Sequence, residues 1–64
     1  MDLKTIRKRM GLTQAAVAKA IGATAATVCR YENGKRLPSV KTAKRLARVL
    51  DIDDWRKIYD TDDG

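Results

Sequence analysis

The chain has 64 residues, a single cysteine (Cys29) and no histidine. That length allows one domain with a small core, and the residue set excludes a disulfide framework and the usual zinc ligand sets. Net charge is +6 but unevenly spread: residues 1–50 carry twelve of the fourteen Lys and Arg against two acids, whereas residues 51–64 carry six aspartates against Arg56 and Lys57.

Apolar spacing and stop signals divide the chain into four or five short helices. The first is expected over Leu3 to Met10, with Leu3, Ile6 and Met10 on one face and Gly11 ending it. Thr13 is a good N-cap for the second, where Val17, Ala18 and Ile21 form the inner face and Gly22 closes the helix. Thr24 caps the third, with Val28 and Tyr31 inward, and Asn33-Gly34 stops it. Pro38-Ser39 opens the fourth, in which Val40, Ala43, Leu46, Ala47 and Leu50 mark one stripe. Asp53 is the expected cap of a short fifth helix carrying Trp55, Ile58 and Tyr59. The fold class is therefore all-α, a compact bundle over residues 1–59 followed by a frayed acidic tail at 60–64.

A basic body with an acidic end favours a polyanionic partner, and nucleic acid leads that group. No apolar run approaches the ~20 residues of a membrane span, and no signal-peptide core follows Lys4 and Arg7. One isolated cysteine points to a reducing compartment, so a cytoplasmic protein without metal or cofactor is expected. An enzyme is not expected. There is no histidine, no nucleophile paired with a base and no phosphate-binding glycine loop.

Residues 14–33 satisfy the steric demands of two helices crossing steeply over a short turn. Ala18 is small where the backbones must approach, and Gly22 tolerates the positive φ that the turn needs. Val17 and Ile21 fill inner positions on the first helix of the pair, Val28 and Tyr31 on the second. That leaves Ala25, Ala26, Thr27, Cys29 and Arg30 facing outward.

Together Gly11-Leu12-Thr13-Gln14, Gly22, Tyr31-Glu32-Asn33-Gly34-Lys35 and Pro38-Ser39 resemble the Cro/repressor (lambda repressor-like) family of helix-turn-helix DNA-binding domains. The resemblance runs from about Ile6 to Ile52 and departs from the family twice. Ala16 stands where a Glu often completes a capping box. Asp51 stands where a helix-ending Gly is usual, so a more strained residue must take the left-handed turn.

The resemblance implies a transcriptional regulator, a repressor or Cro-like protein, that inserts the helix at about 24–32 into the major groove of double-stranded DNA. It also implies a weak homodimer completed on a palindromic operator. In such a complex Gln14, at a helix N-terminus, bonds a phosphate, a role the helix dipole favours. Lys35 and Arg36 are placed for the next phosphates, and Thr24 adds a hydroxyl contact. The outward residues Ala25, Ala26, Thr27, Cys29 and Arg30 are the candidates for base readout. Arg30 suits either a guanine edge or a phosphate, and the alanine methyls suit thymine. Cys29 reads as a neutral filler, with an oxidisable switch as the alternative.

The resemblance further implies a partly buried ion pair between Arg7 and Glu32. Trp55, Ile58 and Tyr59 are expected in the core or at a dimer contact. The rival reading keeps the fold but binds a protein, as an antitoxin-like partner would. Single-strand RNA readers use stacking aromatics, and the outward face carries none.

Overall fold

The first amides of an α-helix have no carbonyl within the helix to bond, so each start needs an outside acceptor. In the computed structural model, which describes residues 2–59, a side chain supplies one at every α-helix. Helix α1 (Leu3–Arg9) begins on Asp2, whose carboxylate accepts from the Thr5 N–H at 3.3 Å and the Thr5 hydroxyl at 2.7 Å. Thr13 accepts from Ala16 at the start of α2 (Gln14–Ile21), and Thr24 accepts from Thr27 at the start of α3 (Ala25–Glu32). Ser39 accepts from Thr42 at the start of α4 (Val40–Val49). Asp2 was not foreseen as a cap, although Asp is among the best N-cap residues. The acidic tail expected at 60–64 lies outside the described residues.

All four α-helices end the same way, with one residue in the left-handed conformation and a hydrogen bond reaching back five residues. Gly22 (φ 75°, ψ 32°) turns the chain after α2, and the Ala23 N–H then reaches the Ala18 carbonyl at 2.8 Å. Gly11 and Gly34 hold the equivalent places after α1 and α3. After α4 the place falls to Asp51, at φ 56°, and the Ile52 N–H bonds the Ala47 carbonyl at 2.7 Å. Leu12, Ala23 and Ile52, which follow three of these turns, pack against the core. The helix ends therefore contribute apolar burial as well as closing hydrogen bonds.

The chain forms an all-α bundle, with no strand among the described residues. Helix α2 packs on α3 and α4, α1 leans on α3, and a 3-10 helix at Trp55–Tyr59 lies against α4. Val17, Ala18 and Ile21 meet Val28, Ala43, Leu46, Ala47 and Leu50 in one core, joined by Leu3 and Ile58. Arg45 donates from Nη1 to the Ile21 carbonyl at 3.4 Å, placing a cation at the C-terminus of α2 beside the turn.

Three expectations from the sequence need correction. Val40, expected on the inner stripe, is 50% exposed. At 100° per residue it lies about 70° from the mean direction of Ala43, Leu46, Ala47 and Leu50, at the stripe's margin in the first turn. Met10 is exposed at the C-cap of α1, and Arg7 is the residue turned inward beside Leu3. Asp53 does not cap the last element. Asp54 accepts the Arg56 N–H at 3.0 Å, while Asp53 pairs with Lys57 at 2.8 Å.

Asp51 carries two penalties: a Cβ in the left-handed region and a negative charge at a helix C-terminus. Asp51→Gly removes both and loses only part of the gain to greater freedom of the unfolded chain. The expected result is about 1 kcal/mol of added stability, read as a Tm rise of about 4–8 °C in a domain this small.

Acid should act through three surface carboxyls, two exposed and one, Asp54, half-buried. The Thr5 hydroxyl and N–H hold Asp2 below the ordinary aspartate value of 3.8. A hydrogen bond and charge from Lys57 do the same for Asp53, and hydrogen bonds from Arg56 do so for Asp54. A depressed carboxyl stabilises the fold above its unfolded pKa and loses that contribution as pH falls through the folded one. Urea midpoints should therefore decline below about pH 4, and Asp2→Asn should shallow that decline.

Candidate nucleic-acid interface

Helix α3 has two chemically distinct sides. Val28 is buried, Tyr31 packs against the core, and the Glu32 side chain is turned into the protein. On the opposite side Ala26 and Arg30, one helical turn apart, occupy the middle of the exposed face. Ala25, also exposed, and the half-buried Thr27 and Cys29 flank them. The face is short and smooth because its only long side chain is Arg30, so a flat surface can approach the backbone closely.

The polar groups at the rim are already engaged with one another. Thr24 Oγ1 accepts the Thr27 N–H at 3.2 Å and lies 3.0 Å from Thr27 Oγ1. Thr24 is thus first a helix cap, and its hydroxyl hydrogen goes either to Thr27 Oγ1 or to an outside acceptor. Asn33, the C-cap of α3, donates from Nδ2 to Cys29 Sγ at 3.3 Å. That contact was invisible in the sequence, although the i, i+4 spacing is the signal that could have shown it. Lys35 and Arg36 are exposed just beyond Gly34, at the end of α3.

A buried ionic network sets how α3 sits. Arg7 Nε donates to Glu32 Oε2 at 2.6 Å and Nη2 to Glu32 Oε1 at 3.3 Å, with the two side chains 9% and 3% exposed. Arg7 Nη1 donates to the Leu12 carbonyl at 2.8 Å, and Gln14 Nε2 donates to Glu32 Oε1 at 3.1 Å. The pair borders a small gap lined by Leu3, Val17, Val28, Tyr31, Leu46 and Leu50, so it stands against the apolar core. Through these bonds the end of α1, the start of α2 and the end of α3 converge on one carboxylate.

In the last element, against α4, Ile58 is buried, while Trp55 and Tyr59 are half-buried against the core. Their rings meet edge to face at 6.1 Å, and Lys44 Nζ lies 5.5 Å from the Trp55 ring centre. The Tyr59 hydroxyl donates to the Pro38 carbonyl at 2.7 Å, tying the last element to the loop before α4. Among the described residues no cluster of His, Cys, Asp or Glu has metal-site geometry, and no helix is long and apolar enough to cross a membrane.

Two helices joined at Gly22, the second with one buried and one open face, define a helix-turn-helix, a DNA-binding architecture. A helix-turn-helix family profile matches residues 3–54, and the chain belongs to that family, in its Cro and repressor branch. An uncharacterized HTH-type transcriptional regulator of Methanothermobacter thermautotrophicus is 37% identical over 57 residues, covering 89% of this chain and 83% of the relative. The ImmF control region 10 kDa protein of Bacillus phage phi105 is 39% identical over 51 residues, covering 80% of this chain and 57% of the phage protein. An uncharacterized HTH-type transcriptional regulator of Archaeoglobus fulgidus is 38% identical over 48 residues, covering 75% and 68%. No solved structure matches the sequence closely.

The two members of the buried pair should respond very differently to removal singly and together. Arg7→Met leaves the Glu32 carboxylate buried without its cation and should cost about 3–5 kcal/mol, measured by urea unfolding. Replacing both at once, Arg7→Met with Glu32→Met, should recover most of that loss, because no unpaired charge then remains.

Proposed function

We propose that this chain is a sequence-specific transcriptional regulator, repressor or Cro-like in action, that lays α3 in the major groove of double-stranded DNA. The observation that carries this reading is the α3 surface itself. Its core side is locked by Val28, Tyr31 and Glu32, and its other side is short enough for the helix backbone to come close to base edges. The names of the relatives, two transcriptional regulators and a phage control-region protein, support the same reading.

Affinity and specificity fall to different residues. Gln14 at the start of α2, Thr24, and Lys35 and Arg36 beyond α3 bind phosphates and set the register. Ala25, Ala26, Thr27, Cys29 and Arg30 face the bases. With one long polar side chain on that face, recognition draws on thymine methyl contacts and on groove shape as well as hydrogen bonds.

One α3 reads only a few base pairs, so the protein acts as a two-fold dimer, weak in solution and completed on a palindromic operator. Ile58 lies in the core, which leaves the edges of Trp55 and Tyr59 and the exposed Leu37 and Val40 for that contact. The place of action is the cytoplasm, where the genome of a bacterium or a phage is accessible.

The test is selection from a random-sequence duplex pool at several salt concentrations, with bound DNA sequenced. A palindrome with half-site centres about 10–10.5 base pairs apart and steeply salt-dependent affinity is expected. Lys35→Ala and Arg36→Ala should each weaken binding to all sequences and reduce the salt slope by about 1. Arg30→Ala should relax preference at one position by about 1–3 kcal/mol if the guanidinium reads guanine, and weaken all sequences alike if it holds phosphate. Weak binding with no enriched sequence overturns the reading and favours an antitoxin-like protein-binding module.

A further inference from the structure

The Glu32 carboxylate can only accept hydrogen bonds, so the Gln14 carboxamide meets it with an N–H, and its carbonyl oxygen is turned away. Gln14 is half-buried and is the first residue of α2, where open backbone amides and the positive end of the helix dipole attract anions. One N–H of the amide nitrogen is committed to Glu32, which leaves the other for a phosphate oxygen. A carboxylate so close to a phosphate site would repel the phosphate unless its charge were cancelled. Arg7 cancels it, and spends its own donors on Glu32 and the Leu12 carbonyl.

We propose that Glu32 is a positioning residue for DNA binding: it holds the Gln14 carboxamide in place as a preset phosphate donor, while Arg7 neutralises the carboxylate that does so. The proposal rests on the reading of Gln14 as a phosphate ligand. It adds that the buried pair acts on the DNA through that one side chain, in addition to supporting the fold. Gln14 is a flexible side chain whose ordering is done during folding, so DNA binding does not bear that loss again.

The experiment is a four-member cycle on the full chain: the native protein, Gln14→Ala, Arg7→Met with Glu32→Met, and all three substitutions together. Affinity is measured for one duplex recovered from the random pool at one salt concentration. The double replacement keeps the net charge, so long-range attraction is unchanged, and circular dichroism establishes that it folds. Gln14→Ala should weaken binding about 10-fold or more, the loss of one hydrogen bond to a charged group. Replacing the pair should weaken binding about 2- to 10-fold more when Gln14 is present than when it is absent. Equal losses with and without Gln14 overturn the positioning role but leave the phosphate contact standing. An unchanged affinity in Gln14→Ala overturns the phosphate contact itself, and the proposal with it.

If the apolar pair does not fold, Arg7→Gln with Glu32→Met serves in the same cycle, since it keeps the net charge, removes the acceptor of Gln14 and leaves a donor for the Leu12 carbonyl. A second readout needs no DNA. By NMR, the side-chain amide of Gln14 should be nearly as ordered as the backbone, with an order parameter near 0.8, and should fall below about 0.6 once Glu32 is replaced. An order parameter unmoved by the replacement overturns the positioning role.

Discussion

A guanidinium buried against an apolar core must find its acceptors inside the protein, and here that requirement ties three helices together. Arg7 meets Glu32 through two donors and the Leu12 carbonyl through a third. The pair therefore fixes the end of α1, the turn that follows it, and the last residue of α3 as one unit. An isolated buried pair is weak evidence for stability, because desolvation offsets much of the attraction. Its value here lies in geometry. The helix that presents the open face is held by its C-terminal residue to a point on α1, and its N-terminal end is set by the Gly22 turn.

That arrangement separates the two tasks of a groove-reading protein. Side chains on the core side of α3 and the start of α2 are immobilised by packing or by Glu32, whereas the open side carries little beyond alanine methyls, Thr27, Cys29 and Arg30. A surface with one long hydrogen-bonding side chain discriminates few bases directly. In the proposed complex it would compensate by allowing close approach, making binding responsive to groove width and to how easily the DNA bends. In the same proposed complex the basic residues concentrated in the first fifty positions would supply attraction that does not depend on sequence.

A domain of this size has little core to spare, and much of its order is set at helix ends. Each α-helix starts on Asp, Ser or Thr and finishes on a left-handed residue with a bond reaching back into the helix. Arg45 adds a donor at the end of α2, beside the turn between the paired helices. The tie from Tyr59 to the Pro38 carbonyl closes the bundle at the far side, where Ile58 enters the core. Caps of this kind are each worth about 1 kcal/mol, so several together matter in a fold with a margin of a few.

Much of this was legible in the sequence because caps, turns and amphipathic faces depend on residues within one or two turns of each other. Thr13, Thr24 and Ser39 announce helix starts, the period of 3.6 places Val17, Ile21, Val28 and Leu46 inward, and the family resemblance, with Asp51 where a Gly is usual, implies the strained turn there. What periodicity could not decide is which partner a polar side chain meets across the fold. Arg7 lies inward and Met10 outward because Glu32, twenty-five residues away, offers a buried acceptor that a thioether cannot use. Gln14 reaches the same carboxylate, Arg45 finds the Ile21 carbonyl, and Val40 is exposed at the margin of the packed face of α4. The helices and their apolar faces follow from the residue pattern alone, since they rest on local backbone and burial energetics. The family resemblance also implied the Arg7–Glu32 pair; that Gln14, the Leu12 carbonyl and Arg45 complete the polar network follows from packing, because it depends on distances that exist only in the assembled bundle.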